Sequence, residues 1–280
     1  MKILPFFLFF LALTPLFSQD RESLIEENYQ NYRRIVESNP DSALIYILKA
    51  KKLSESAGNM DWKARIFYGI GYCYYLKQDY RTSHYYLKQA ANFAADADNS
   101  NILSKSYNQI GQVYSVQSDF ENALENYHLS LKISETKEEL SDNTIAALSN
   151  IADLYILQED TISARTYYHQ AKRIGERDDK KLNLAVVYNN LAVSYMKSNK
   201  DSTEFFLRKA LSINQENHNY YGQVMAQINL AVTYLNFNSV ADYPKSLNYL
   251  TESLELSKVI KNEDAEFFSY FYLGKYYEQV

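Results

Sequence analysis

The feature that most constrains this chain is an interval. A glycine or alanine recurs at Gly71, Gly111, Ala152, Ala192, Ala231 and Gly274, in steps of 40, 41, 40, 39 and 43 residues. Each is followed three positions later by a tyrosine, at Tyr74, Tyr114, Tyr155, Tyr195, Tyr234 and Tyr277. A second register, small then large then small, keeps the same period in Ala43/Ile47/Ala50, Ser83/Leu87/Ala90, Ala123/Tyr127/Ser130, Ala164/Tyr168/Ala171, Thr203/Leu207/Ala210 and Ser246/Leu250/Ser253. Within one unit Tyr107, Ile110, Gly111 and Tyr114 fall three or four apart and share a helix face, as do Ala123, Tyr127 and Ser130 on the next helix. Each unit is therefore a helical hairpin in which small residues let two backbones approach and large ones fill the space beside them. One hairpin cannot bury that face alone, and self-similarity at a period of about 20 to 50 residues predicts a stack of hairpins.

The run of a bulky residue, a glycine or alanine, a tyrosine, and then small, aromatic and small residues resembles the tetratricopeptide repeat, whose unit is typically about 34 residues. The unit here is nearer 40, like the longer variety of kinesin light chains and bacterial peptide-pheromone receptors, so each helix is expected to be about one turn longer. The consensus tryptophan and the proline at repeat ends are missing from most units. The resemblance implies an all-α fold, a right-handed superhelical solenoid of antiparallel helix pairs. It covers the chain from Arg21 onward, with repeats near 21–57, 61–96, 101–136, 141–177, 180–216 and 219–260 and a half repeat at 263–280.

The turns are legible as well. Eleven residues before the last small residue of each second helix stand Asn39, Asp79, Asp119, Asp160, Asn199 and Asp242, all good N-cap types. Pro40 follows Asn39 at the first helical position, and Pro244 falls within the first turn of its helix, where proline is tolerated. This column is structural: its side chains satisfy free amides at helix starts. First helices are expected near 61–77, 101–117, 141–157, 180–198, 219–237 and 263–278. The last of these carries Phe267, Phe268, Tyr270, Phe271, Leu273 and Tyr277, an apolar face where a terminal repeat normally turns a polar one outward. A continuation of the polypeptide past Val280, with a membrane segment or output domain, or a second chain, is expected to cover it.

A linear stack needs no large single core, since each repeat packs on its neighbours. Seven glycines and four prolines in 280 residues agree with long helices and short turns. A formal charge of −5 with no basic stripe argues against nucleic acid as a partner of this region. Residues 1–19 differ from the rest: Lys2, an apolar run from Ile3 to Leu13, and then Thr14 to Gln19 read as a signal peptide cleaved near Ser18. That run is short for a membrane span, and a retained anchor is the alternative. An exported chain, periplasmic or extracellular, is the expectation. Cys73, the single cysteine, reads as a small core residue.

Catalysis has little to stand on. His84, His128, His169 and His218 form no short ligand motif, His128 and His169 belong on outward faces, and there is neither a phosphate loop nor a nucleophile elbow. No metal, cofactor or catalytic residue is expected. The expected function is a non-enzymatic scaffold for a peptide or protein segment; the alternative is the extracytoplasmic sensor portion of a longer signal-transduction protein, a histidine kinase or helix-turn-helix regulator.

In the resembled fold the first helices line a concave groove, and the residue two before the anchor points into it: Gly69, Gln109, Asn150, Asn190, Asn229 and Tyr272. Four consecutive carboxamides there offer donors and acceptors that either pair with the backbone of an extended peptide, as the asparagine ladder of long-repeat peptide receptors implies, or bond to neighbouring helices. Asn108, Gln112, Asp153, Asn189 and Lys275 add polarity, and Tyr68, Tyr72 and Tyr75 give the groove an aromatic start. Arg65, Lys105 and Lys275 are too scattered in sequence for a carboxylate clamp, which predicts a neutral or mixed peptide.

Overall fold

The computed structural model describes the backbone of residues 8–55, 58–237 and 240–280, with side chains from residue 21 onward. Residues 1–7 of the expected signal segment lie outside the described residues, and 8–20 are described as backbone alone. Among the described residues the chain is all α, a helix-pair solenoid of thirteen α-helices and two short 3-10 turns without strands. No helix among them is long and apolar enough to cross a membrane.

The chain packs as two compact units, one ending at Asn143 and one beginning at Thr144. The first holds the pairs α1 (Leu8–Ile35) with α2 (Pro40–Ser54), α3 (Met60–Leu76) with α4 (Tyr80–Asp96), and α5 (Ser100–Val116) with α6 (Phe120–Ser134). The second holds α7 (Ser141–Leu157), whose first turn precedes it, with α8 (Thr161–Arg177), then α9 (Lys181–Tyr195) with α10 (Lys200–Glu216), α11 (Tyr220–Asn236) with α12 (Tyr243–Val259), and α13 (Glu263–Gln279). From α2 onward the helix starts agree with the sequence reading to within a residue; α1 begins at Leu8 rather than near Arg21 and runs on from the expected signal segment.

The small-large-small triplets are the core. Every one of their eighteen members is buried, from Ala43, Ile47 and Ala50 in α2 to Ser246, Leu250 and Ser253 in α12. The large member keys into the small anchor of its own first helix. A Cβ added to Gly71 would stand 2.7 Å from Leu87 Cγ, and one added to Gly111 would stand 2.5 Å from Tyr127 Cε1. Leu87 also packs on Ile110 and Val113 of the following α5, so one side chain joins a hairpin to its successor. Cys73 is fully buried among Ile47, Ile66 and Ile70, and burial pushes its thiol up to about 12, so it is a core residue as expected.

Turns are short because helices stop in the left-handed region. Gln78, Ser118 and Glu159 sit at φ of 60°, 62° and 62° after first helices, each just before the N-cap of its partner. Asp79 N–H donates to the Tyr74 carbonyl at 2.9 Å, and Asp119 and Asp160 do the same to Tyr114 and Tyr155 at 3.0 and 2.9 Å, the six-to-one bond that closes a helix end. The same aspartates cap the next helix, accepting from the amides of Thr82, Asn122 and Ser163. Asn39 and Asn199 cap likewise, and Asn59, Asn99, Asn219 and Asn262 cap first helices. Asp242 departs from the column. It makes no cap bond; its backbone is αR in the 3-10 turn Val240–Asp242, and its nearly buried carboxylate takes the ammonium groups of both Lys200 and Lys245. The hydrogen bond from Lys200 holds that carboxyl below the usual range. Two cations outbid a helix terminus.

On α13 the Gly274 anchor has no second helix packed on it among the described residues. Ala265, Ser269 and Tyr276 are buried, but Gly274 is exposed, with no atom within 4 Å of where a Cβ would be, and Phe267 and Tyr277 are 63% and 69% exposed. The Gly111→Ala variant is therefore expected to lose about 1 to 3 kcal/mol by overpacking against Tyr127. Gly274→Ala should gain about 0.5 to 1 kcal/mol from helix propensity alone. Thermal or urea melts of the two variants check this, and shifts of the same sign would contradict it.

A second pair examines the other register. Ala164 is fully buried at the α8 contact and His169 is exposed on the same helix. Ala164→Leu should cost roughly 1 to 3 kcal/mol while His169→Leu stays within about 0.5 kcal/mol; equal melting shifts would show the register to be wrong.

Candidate functional site

The first unit carries an open cavity of about 580 Å³ between α1, α3 and α5. Its wall from α3 is Tyr68, Tyr72 and Tyr75, stacked in near-parallel pairs with centroids 6.3 and 6.4 Å apart and interplanar angles of 6° and 10°. The three recur at i, i+4 and i+7, so one helix face presents them all. Burial raises the phenol pKa of all three, and that of Tyr72 is raised further by its 2.6 Å hydrogen bond to Glu37 Oε1. They stay neutral donors across the physiological range. From α5 come Gln109 and Gln112, joined by a 2.8 Å bond from Gln109 Nε2 to Gln112 Oε1. Five residues expected from sequence thus converge on one cavity. Asn108, on the same helix, is half-buried and does not line it.

The 40-residue step explains the lining. Tyr32, Tyr72 and Gln112 form one column; Tyr29, Gly69 and Gln109 form another. Gly69 is buried rather than open to the cavity, because the Tyr32 ring occupies the room its missing side chain leaves: a Cβ there would meet Tyr32 Cζ at 3.0 Å and Ile47 Cδ1 at 3.2 Å.

The cations are not scattered. Arg65 and Lys105 stand 40 residues apart, at equivalent positions on α3 and α5, and α1 brings Arg33 to the same cavity. Arg65 is paired to Asp61 at 2.7 Å. Lys105 is half-buried, and its ammonium pKa is lowered by desolvation first and by the neighbouring Arg33 next, against an opposing pull from Asp142. The 40-residue step relates Arg65 to Lys105, a signal the sequence reading passed over in taking them as scattered. Arg33 lies off that column, and only packing delivers it. Lys275 is elsewhere, on α13, beside Glu278.

In the second unit the expected amides bond to one another. Asn229 Nδ2 donates to Asn189 Oδ1 at 2.9 Å, across the 40-residue step from α11 to α9. Asn190 Nδ2 reaches Asp153 Oδ1 at 3.4 Å, and Asp153 also accepts a short bond from the Tyr168 hydroxyl. Burial raises the Asp153 carboxyl pKa, partly offset by that phenol. Asn150, Asp153, Asn189, Asn190 and Asn229 are all half-buried on first helices. Each carboxamide seen donating here uses one of its two N–H groups in these bonds. Tyr272, a further position of that row, packs instead against the Val224 and Ile228 core of α11. Among the described residues no group of three or more His, Cys, Asp or Glu side chains is placed to hold a metal.

The tetratricopeptide repeat family model matches residues 102–177 and 143–216. No curated protein matches. Among solved structures, the Rap protein complexed with competence and sporulation factor is similar at a TM-score of 0.67 and 16% identity, over 92% of this chain and 77% of that one. NprR in complex with its cognate peptide NprX is similar at a TM-score of 0.65 and 15% identity, over 99% and 76%. BtubC from P. vanneervenii is similar at a TM-score of 0.60 and 19% identity, over 88% and 92%. Residues 102–216 thus match the tetratricopeptide repeat family directly, and the helix pairs on either side share its solenoid fold.

Proposed function

We propose that this protein is a non-enzymatic, exported scaffold that binds an extended peptide or protein segment on the faces of its first helices. The single observation that carries the reading is the convergence of Tyr68, Tyr72, Tyr75, Gln109 and Gln112 on one open cavity. Stacked phenol rings offer apolar area to a side chain, and carboxamides offer a donor and an acceptor to any peptide unit regardless of its sequence. The Rap and NprR structures, similar in fold, hold competence and sporulation factor and the cognate peptide NprX respectively, which supports the same use here. Asn150, Asp153, Asn189, Asn190 and Asn229 supply the equivalent polar surface on the second unit, where the Asn229–Asn189 and Asn190–Asp153 bonds hold those amides in place for a ligand. A sensor portion of a larger signal-transduction protein is the second reading, favoured by the exposed aromatic face of α13, on which a further helix or domain can pack.

Replacing Asn150, Asn190 and Asn229 together by alanine is expected to leave circular dichroism helical, since alanine is the best helix former. Three lost hydrogen bonds at about 0.5 to 1.5 kcal/mol each should weaken peptide binding by roughly 2 to 4 kcal/mol, or about 30- to 1000-fold. Isothermal titration with peptides selected from a random octapeptide pool reads this. Unchanged affinity with normal helicity would remove the amides from recognition.

Export rests on the Lys2 and Ile3–Leu13 pattern. Mass spectrometry of protein from the native host should find a mature chain beginning near Gln19; an intact amino terminus in a cytosolic fraction would overturn export.

A further inference from the structure

We infer that the exposed face of α13 pairs with α13 of a second copy of this chain, antiparallel about a two-fold axis, with Phe267 of each copy seated beside Gly274 of the other. The pairing goes beyond the scaffold reading and involves no residue of the cavity. Along α13, Phe267, Phe271, Gly274 and Glu278 recur at steps of three and four and form the middle of one face. Tyr270 and Tyr277 flank it on one edge, and Asp264, Phe268 and Lys275 on the other. The opposite face carries Ala265, Ser269 and Tyr276 and is buried. Phe267, Phe268, Tyr270, Phe271 and Tyr277 are 41 to 69% exposed. At about 150 to 250 Å² per aromatic side chain they offer roughly 400 to 700 Å² per copy, against about 500 Å² per copy for a specific interface.

The occupant is a second copy because this face complements itself. With the axis level with Ser269 and Tyr270, Phe267 of one copy comes level with Tyr272 of the other, over the gap framed by Tyr270, Phe271, Gly274 and Lys275. Gly274 opens that gap, since no atom lies within 4 Å of where its Cβ would be. Leu87 on Gly71 and Tyr127 on Gly111 make the same fit inside the chain, a large side chain set where a small one leaves room. In a two-fold antiparallel pair each edge faces its own counterpart, so the same register sets Asp264 against Lys275 and Phe268 against Phe271. At the helix ends it brings Lys261 level with Glu278. Both charge pairs are opposite in sign, and each occurs twice. A parallel pair would instead set Asp264 on Asp264 and Lys275 on Lys275, where like charges repel. Within the chain Lys275 meets Glu278 at 3.3 Å with both groups exposed, a pair weak enough to exchange.

Sedimentation equilibrium of the full chain tests this. The wild type should pass from monomer to dimer between about 1 and 100 µM and stop at two copies, because an isologous contact closes on itself. Phe267→Glu should weaken the dimer at least about 30-fold, as loss of a central aromatic anchor does. Gly274→Leu adds apolar surface yet fills the gap, so it should weaken the dimer about 10-fold; tighter association would mean unspecific adhesion and overturns the fit. Asp264→Lys and Lys275→Glu should each weaken the dimer about 10-fold at about 0.05 M salt, and the double exchange should restore it with the signs reversed. Tyr85→Glu, at an exposed aromatic of α4, should leave the dimer intact, and an equal loss there overturns the assignment to α13. Circular dichroism at about 1 µM should show each variant folded as a monomer, since all these side chains are exposed. A wild type that stays monomeric at about 100 µM, growth past two copies, or a double exchange that fails to restore the dimer overturns the pairing.

Discussion

The fold depends on one steric fit: the large residue in the middle of each second helix occupies the space left by a missing or minimal side chain on its first helix. Leu87 over Gly71 and Tyr127 over Gly111 leave too little room for an added methyl. Because Leu87 reaches Ile110 and Val113 of the next helix as well, the contact that closes a hairpin also sets where the following one docks. Burying such a side chain contributes about 1.5 to 3 kcal/mol, and the sum over successive repeats replaces the single core that a globular domain of this length would need. Gly274 shows the same element unpaired. Its surface is open, and Phe267, Phe271 and Tyr277 on the same helix are exposed.

The steady period follows from the turns. A first helix ends with one left-handed residue, Gln78, Ser118 or Glu159, and the next residue is already the cap of the second helix. Such a junction leaves no slack, so side chains about 40 residues apart land beside one another. Columns of function arise from that geometry. Tyr32, Tyr72 and Gln112 share a wall, Arg65 and Lys105 share a position, and Asn189 meets Asn229 through a 2.9 Å bond.

The two units use this geometry differently. In the first, Tyr72 engages Glu37 and Gln109 engages Gln112, while Lys105 is half-buried with its ammonium pKa lowered, by desolvation first. In the second, the amides and Asp153 spend part of their hydrogen bonding on each other. A carboxamide tied by one bond retains another donor, so mutual pairing and ligand binding are compatible, and the pairing lowers the entropy lost when a ligand arrives.

The amino-acid sequence by itself determined the hairpin period, the six interlocking triplets, five of the six second-helix caps and five residues of the cavity. These depend on contacts within a hairpin or between repeats a constant distance apart, and such contacts leave a periodic imprint. Tertiary packing alone decided what falls between periods. Arg33 reaches the cavity from a position outside the Arg65–Lys105 column, one helical turn beyond Tyr29 on the same face of α1. Asp242 has the residue type of a cap and serves instead as the counter-ion of Lys200 and Lys245, since two ammonium groups bind a carboxylate more strongly than free backbone amides do. Gly69 has the position of a groove residue and lies beneath Tyr32. In each case the sequence names the group, but its partner is chosen by competition among neighbours that come together only once the helices have packed.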